Sequence, residues 1–156
     1  MIRERREEDL DGLCLILENL DYPSGILAGN DLKEWLNEYD AEQSWVFDSA
    51  PVTVVPTKNV VGHIQIYRPT ENASASYLAK HASKVTDDLL SIGKLFVGPN
   101  KHEYGIRRHL LKEAVKYIQR QGKLPVLDLH ENEFLSKGFC EKFGFEEIPS
   151  VDCHVY

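Results

Sequence analysis

Ile106, Leu110, Leu111, Ala114, Val115 and Ile118 fall on one face only if residues 105–121 wind as a helix with 3.6 residues per turn. Gly122 follows as a natural stop. Just upstream, "SIGKLFV" reads as a strand ending at Gly98-Pro99, and just downstream "PVLDLH" reads as another. A helix held between two strands must lay its apolar stripe on the sheet that the strands join. This unit constrains the fold more than any other feature of the chain.

The other segments fit around it. "IRERR" is a plausible first strand, and "DLDGLCLILENL" a helix with Leu10, Leu13, Leu17 and Leu20 on one side. "DYPSGILAGN" is a loop by its Pro, Gly and Asn content. Asn30 or Asp31 is placed to cap a short helix that aligns Leu32, Trp35, Leu36 and Tyr39. "PVTVV" and "VVGHIQIY", parted by "PTKN", are expected to pair as an antiparallel hairpin. Residues 69–90 are weakly patterned and fit either a loop or a short exposed helix. "NEFLSKGFCEKFG" reads as a helix ending at Gly144, and "FEEI" and "DCHVY" as closing strands. The expectation is one α+β domain over residues 1–156 with a mixed sheet.

Composition excludes several classes. The 156 residues are 42% hydrophobic and carry a net charge of -7, ordinary for a soluble domain and unsuited to general nucleic-acid binding. No apolar run is long enough to span a bilayer, and the charged opening "MIRERREEDL" is unlike a signal peptide, so a cytoplasmic location is expected. Three separated cysteines, Cys14, Cys140 and Cys153, do not make a disulfide framework. "NAS" at Asn72–Ser74 reads as a chance sequon without a secretion signal. The "HE" pairs at His102 and His130 lack the second histidine of a zinc-protease helix, and no Cys-x-x-Cys occurs, so no metal is expected.

One local feature runs against the acidic balance. Lys101, His102, Arg107, Arg108 and His109 cluster where the long helix begins, and only Glu103 opposes them. Cations are disfavoured there, because the exposed N–H groups are already positive. They make sense if a polyanion sits over the turn, since a strand, a glycine-bearing turn and a helix start form an anion site. The plainer account is solvated arginines beside a turn glycine, and charge alone slightly favours it.

Resemblance adds what charge cannot. From Leu95 to Phe145 the chain resembles the core of the GNAT-superfamily N-acetyltransferases, with "HEYGIR" where that family carries Gln/Arg-x-x-Gly-x-Gly/Ala and "RHLLKEAVKYIQRQG" where its long helix continues. "FCEKFGF" is similar to the family's Tyr-x-Lys-x-Gly-Phe-like segment, and "IRERREEDLDGL" and "VVGHIQIY" to its opening strand-helix and central strand. The resemblance implies an α/β/α fold with a splayed mixed sheet, and acetyl-CoA as co-substrate. It implies transfer of the acetyl group to a primary amine. The backbone from Glu103 to His109, taking in Tyr104, Gly105 and Ile106, would cradle the pyrophosphate, with His102 at the motif's first position. Arg107 and Arg108 would add charge there, and Phe96 and Val97 would offer backbone groups to the pantetheine arm. Two positions depart from the pattern. His102 replaces Gln or Arg, and Arg107 replaces a small residue, so it must crowd the pyrophosphate or turn outward.

The same resemblance locates the chemistry. The region of Val97 would polarise the thioester carbonyl. Cys140 stands where the family's tyrosine acid stands, and is either a proton donor or, more in keeping with buried cysteines, packing. Asn132 lies one residue out of step with the family's pantetheine-contacting asparagine and equally suits a helix cap. His63, His130 and Asp128 are the base candidates, although strand alternation puts His63 opposite Ile64 and Ile66, where it could be exposed. Trp45, Tyr22 and Tyr67 are candidates for an acceptor pocket or for the core. The acidic balance points weakly to a cationic acceptor such as a polyamine, an aminoglycoside or a lysine side chain. The family resemblance also allows a homodimer. Two rival readings stand beside the enzyme: an acyl-CoA-binding module without catalysis, and a partner-binding domain without CoA.

Overall fold

The computed structural model describes residues 1–20, 22, 30–39, 41–49, 59–68, 89–128, 132, 134–147 and 153–155. Its elements run β1 (Ile2–Glu4), a 3-10 turn (Glu7–Asp9), α1 (Leu10–Leu20), α2 (Asn30–Leu36), β2 (Ala41–Asp48), β3 (Val60–Tyr67) and β4 (Leu89–Val97). They continue with α3 (Glu103–Arg120), β5 (Leu124–Asp128), α4 (Lys137–Phe143), β6 (Glu146–Glu147) and β7 (Cys153–Val155). The strands make one sheet in the order β1-β2-β3-β4-β5-β7-β6. Among the described residues only β4 and β5 pair in parallel, joined by α3 as a crossover, so the sheet is mixed as expected.

Helices cover both faces. On one face Ile106, Leu110, Leu111, Ala114, Val115 and Ile118 of α3 meet Ile64, Ile66, Leu90, Ile92, Leu95 and Val97 of the central strands, and Cys140 of α4 joins them. On the other, Leu13 and Leu17 of α1 and Leu32 and Leu36 of α2 meet Val46, Val60 and Phe96. Side chains that alternate along β2, β3 and β4 therefore bury in two separate clusters. These six residues are the buried ones of α3, so the apolar stripe is its core-facing side.

A buried ion triad fixes the start of the chain. The Arg3 guanidinium donates to both Asp9 carboxylate oxygens, at 2.8 and 2.9 Å, and its Nε to Asp48 at 3.1 Å. Both carboxylates are fully buried, which ties the 3-10 turn before α1 to the end of β2.

Two elements differ from the sequence reading. Residues 41–48, given no assignment there, form β2 and pair antiparallel with β3 from Ala41↔Tyr67 to Asp48↔Val60. The expected hairpin partner, "PVTVV" at 51–55, lies outside the described residues, as does most of the 69–90 segment. Strand β4 also begins at Leu89, two residues before "SIGKLFV".

Candidate active site

The centre of interest is where β4 and β5 part. Their pairing runs from Leu89↔Leu124 to Ile92↔Leu127, while β4 continues along β3 as far as Val97. At the fork, buried Asn132 donates from Nδ2 to the Ile92 carbonyl at 3.0 Å. Its place there, at the tip of the splay, differs from the helix cap weighed in the sequence. Ser136 caps α4 instead, accepting from Phe139 N at 3.1 Å.

Backbone direction decides which amide faces the splay. The Gly98 N–H donates to Val61 O at 2.8 Å, toward β3. Successive residues of a strand point their backbone groups to opposite sides, so those of Val97 turn toward the splay and those of Phe96 toward β3. The expectation for Phe96 is therefore corrected. Its backbone faces the neighbouring strand, and its side chain packs with α1 and α2.

Past Val97 the chain turns into α3. Asn100 shapes the turn, its Nδ2 donating to Gly98 O at 2.9 Å and its Oδ1 accepting from His102 N at 2.8 Å. The Glu103 amide donates to Asn100 O and the Ile106 amide to His102 O, which leaves the Tyr104 and Gly105 amides without a carbonyl behind them in the helix. A methyl group added at Gly105 would meet nothing within 4 Å. Glycine inside a helix costs about 1 kcal/mol relative to alanine. Neither sterics nor backbone angle in this fold demands it, so the bare position suits close approach of something outside the chain. His102 and Tyr104 are exposed beside it, while the Ile106 side chain is core.

The two arginines behave differently. Arg107 does not turn outward into solvent but reaches back to Glu103 in the first turn of α3. Its guanidinium pairs with Glu103 and lies 4.5 Å from the Phe134 ring centre and 5.2 Å from that of Phe139. The side chain expected to meet phosphate therefore links α3 to the α4 segment through a carboxylate and two aromatic faces. Arg108 is exposed, 5.7 Å from the Phe143 ring centre.

The proton-transfer candidates fare unequally. Cys140 is fully buried in the α3-side cluster, and burial pushes its thiol up to about 11. His63 is not an exposed strand residue. It is fully buried under α1 and α2, stacked on Phe96 at 5.3 Å. Its Nδ1 lies 2.8 Å from Lys94 O and its Nε2 3.1 Å from the Arg5 guanidinium. The guanidinium only donates, so Nε2 accepts and Nδ1 carries the hydrogen. Burial, with Arg5 beside it, pulls the His63 pKa down to about 3. A base whose lone pair is already engaged and whose pKa is about 3 cannot take a proton from an amine near neutrality. His130 lies outside the described residues, and Asp128 closes β5. Trp45 packs edge-on against Tyr117 on the α3 side, Tyr22 packs with α1 and α2, and Tyr67 stacks on Tyr39, so the three proposed pocket aromatics do not share one cluster.

A profile of the acetyltransferase (GNAT) family matches residues 15–145. The chain belongs to that family. Among solved structures it is similar to a GNAT-family acetyltransferase from Brucella melitensis in complex with acetyl-CoA, at 18% identity and TM-score 0.62, covering 100% of this chain and 86% of that one. It is also similar to NAA60 from Arabidopsis thaliana in complex with acetyl-CoA, at 17% identity and TM-score 0.65, covering 100% and 98%. An aminoglycoside 6'-acetyltransferase type Ii aligns at 14% identity and TM-score 0.62, covering 100% and 96%. No curated protein is significantly similar to the chain in sequence. At these identities the structural likeness speaks for the fold, and the family match gives the class.

One buried charge on β4 was not legible in the sequence. Lys94 lies buried in β4 with its ammonium on Glu38, and nothing in "SIGKLFV" marks it as other than a surface lysine on a strand.

Proposed function

We propose that this chain is an acetyl-CoA-dependent N-acetyltransferase acting on a primary amine, in one domain over residues 1–156. The observation that carries the reading is the open start of α3, where the Tyr104 and Gly105 amides and the bare Gly105 position adjoin the splay. The backbone from Glu103 to Arg108 would hold the pyrophosphate by its amides and the positive helix end. Val97 and Asn132 would meet the pantetheine arm along the splay. When bound, acetyl-CoA supplies a thioester carbonyl open to attack by a neutral amine. The Val97 amide, facing the splay, would donate to that carbonyl oxygen as negative charge develops on it. Placement of the two reactants along β4 lowers the barrier further by removing the entropy of encounter. Cys140 serves as packing, so another group or water would deliver protons; His130 stays the base candidate by analogy, with Asp128 near it in sequence.

The acceptor class is carried over from charge alone, with polyamines, aminoglycosides and lysine side chains as the trial set. A cytoplasmic location is part of the same proposal, and a homodimer rests on the family resemblance. No helix among the described residues is long and apolar enough to cross a membrane. The test is thiol release from acetyl-CoA over an amine panel of spermidine, kanamycin and lysine-containing peptides. Amine-dependent release supports the transferase. A second reading, an acyl-CoA-binding module without turnover, is favoured by the buried Cys140 in place of an acid. It predicts tight acetyl-CoA binding with no amine-dependent release.

A further inference from the structure

Among the described residues one non-glycine residue has positive φ, Lys94 at 53°. The left-handed region is unfavourable for a lysine and persists only where the surroundings impose it. The β3–β4 register shows what it does. His63 faces Phe96 and Gln65 faces Gly93, so Lys94 and Leu95 together stand opposite Ile64 alone. That is a bulge, one extra residue in β4.

The extra residue changes the phase of the strand. Before it, Leu90 and Ile92 point to the α3 side; after it, Leu95 and Val97 do. A one-residue slip reverses both the side-chain face and the direction of the backbone groups. The bulge is therefore what turns the Val97 amide, rather than that of Phe96, toward the splay. It also lies directly beyond Ile92, the last residue that β4 shares with β5.

Lys94 is held from three directions. Its carbonyl accepts from His63 Nδ1 at 2.8 Å. Its ammonium lies 2.7 Å from Glu38, 3.9 Å from the Trp35 ring centre and 4.8 Å from that of Tyr39. His63 is fixed in turn by Arg5, whose guanidinium also donates to Leu36 O at 3.2 Å and Asn37 Oδ1 at 2.6 Å. On the opposite side of the kink, Gly93 clears the Tyr67 ring, since a methyl group there would come within 2.6 Å of it.

We infer that Lys94 and His63 are positioning residues for acetyl transfer, clamping the β4 bulge so that the Val97 amide points at the thioester carbonyl. Neither touches the reacting atoms. Both act through the backbone of β4, and Arg5 sets the His63 tautomer that makes the clamp. The inference rests on the transferase reading above.

Lys94→Gly and Lys94→Ala remove the same side chain but differ in their tolerance of positive φ. The readout is the infrared carbonyl band of 13C-labelled acetyl-CoA bound to each protein, with Kd from calorimetry alongside. In the unaltered protein the band lies below that of free acetyl-CoA. Lys94→Gly keeps at least half of that displacement, while Lys94→Ala and His63→Leu return the band toward the free value. All three bind acetyl-CoA within about tenfold of the unaltered protein, a margin of about 1.4 kcal/mol. If Lys94→Ala or His63→Leu does not fold, the other still decides by its difference from Lys94→Gly; if Lys94→Gly does not fold, both others must still depart from the unaltered protein. Bands that coincide in all four proteins, with only melting temperatures changed, overturn the clamp and leave the transferase standing. If the unaltered protein does not bind acetyl-CoA, both fall together.

Discussion

His63 shows how a residue that attracts attention as a base can be a structural element whose neutrality the fold requires. Burial and the neighbouring Arg5 hold its pKa at about 3 in the folded chain, against about 6.5 when unfolded. Between those values the unfolded chain binds the extra proton, so the His63 contribution is complete above about pH 6.5 and is lost as pH falls toward 3. The slope is about 1.4 kcal/mol per pH unit for one proton. Denaturant melts at pH 4.5 and 6.5 should show that loss in the unaltered protein and a markedly flatter profile in His63→Gln. Cys140 allows a second test. As core packing, Cys140→Ala costs about 1 kcal/mol and leaves acetyl-CoA affinity unchanged. Cys140→Tyr overfills a fully buried site and costs about 1–3 kcal/mol. An acid would behave the other way in turnover, with tyrosine tolerated and alanine impaired.

At the scale of elements, α3 carries a conflict between stability and function. Gly105→Ala places a methyl group in open space, so it should stabilise the helix by up to about 1 kcal/mol while weakening acetyl-CoA binding. A melting temperature that rises as affinity falls would mark glycine as serving the ligand. Arg3→Ala leaves the Asp9 and Asp48 carboxylates buried without their shared partner and should cost about 3–5 kcal/mol, read by chemical denaturation. Element types were legible where periodicity was strong. The α3 stripe and the Leu13–Leu17 face of α1 follow directly from spacing. Strand β2 did not, because in "AEQSWVFD" a polar run follows Ala41 and the apolar trio Trp45, Val46 and Phe47 alternates between two buried clusters. The bulge was illegible for a related reason: a backbone angle leaves no mark in the letters. Partners far apart in sequence, such as Arg5 with His63, cannot be read from local pattern either.

For the whole molecule, the GNAT architecture brings two features of one strand-turn-helix unit together, the splay beside Val97 and the open start of α3. Resemblance pointed to both, and the backbone geometry gives each a physical reason. The local charge did not translate directly: Arg107 is engaged by Glu103 and two phenylalanines, so in the proposed function the amides and the helix dipole, with exposed Arg108, would hold the anion. Calorimetric titration with acetyl-CoA, comparing the unaltered protein with Gly105→Val, tests this account most directly. The expected dissociation constant is on the order of micromolar for the unaltered protein, with at least about tenfold weaker binding for the variant and its fold intact by circular dichroism. Equal binding by both would contradict the placement of the pyrophosphate at α3, and no heat with millimolar acetyl-CoA would contradict the site altogether.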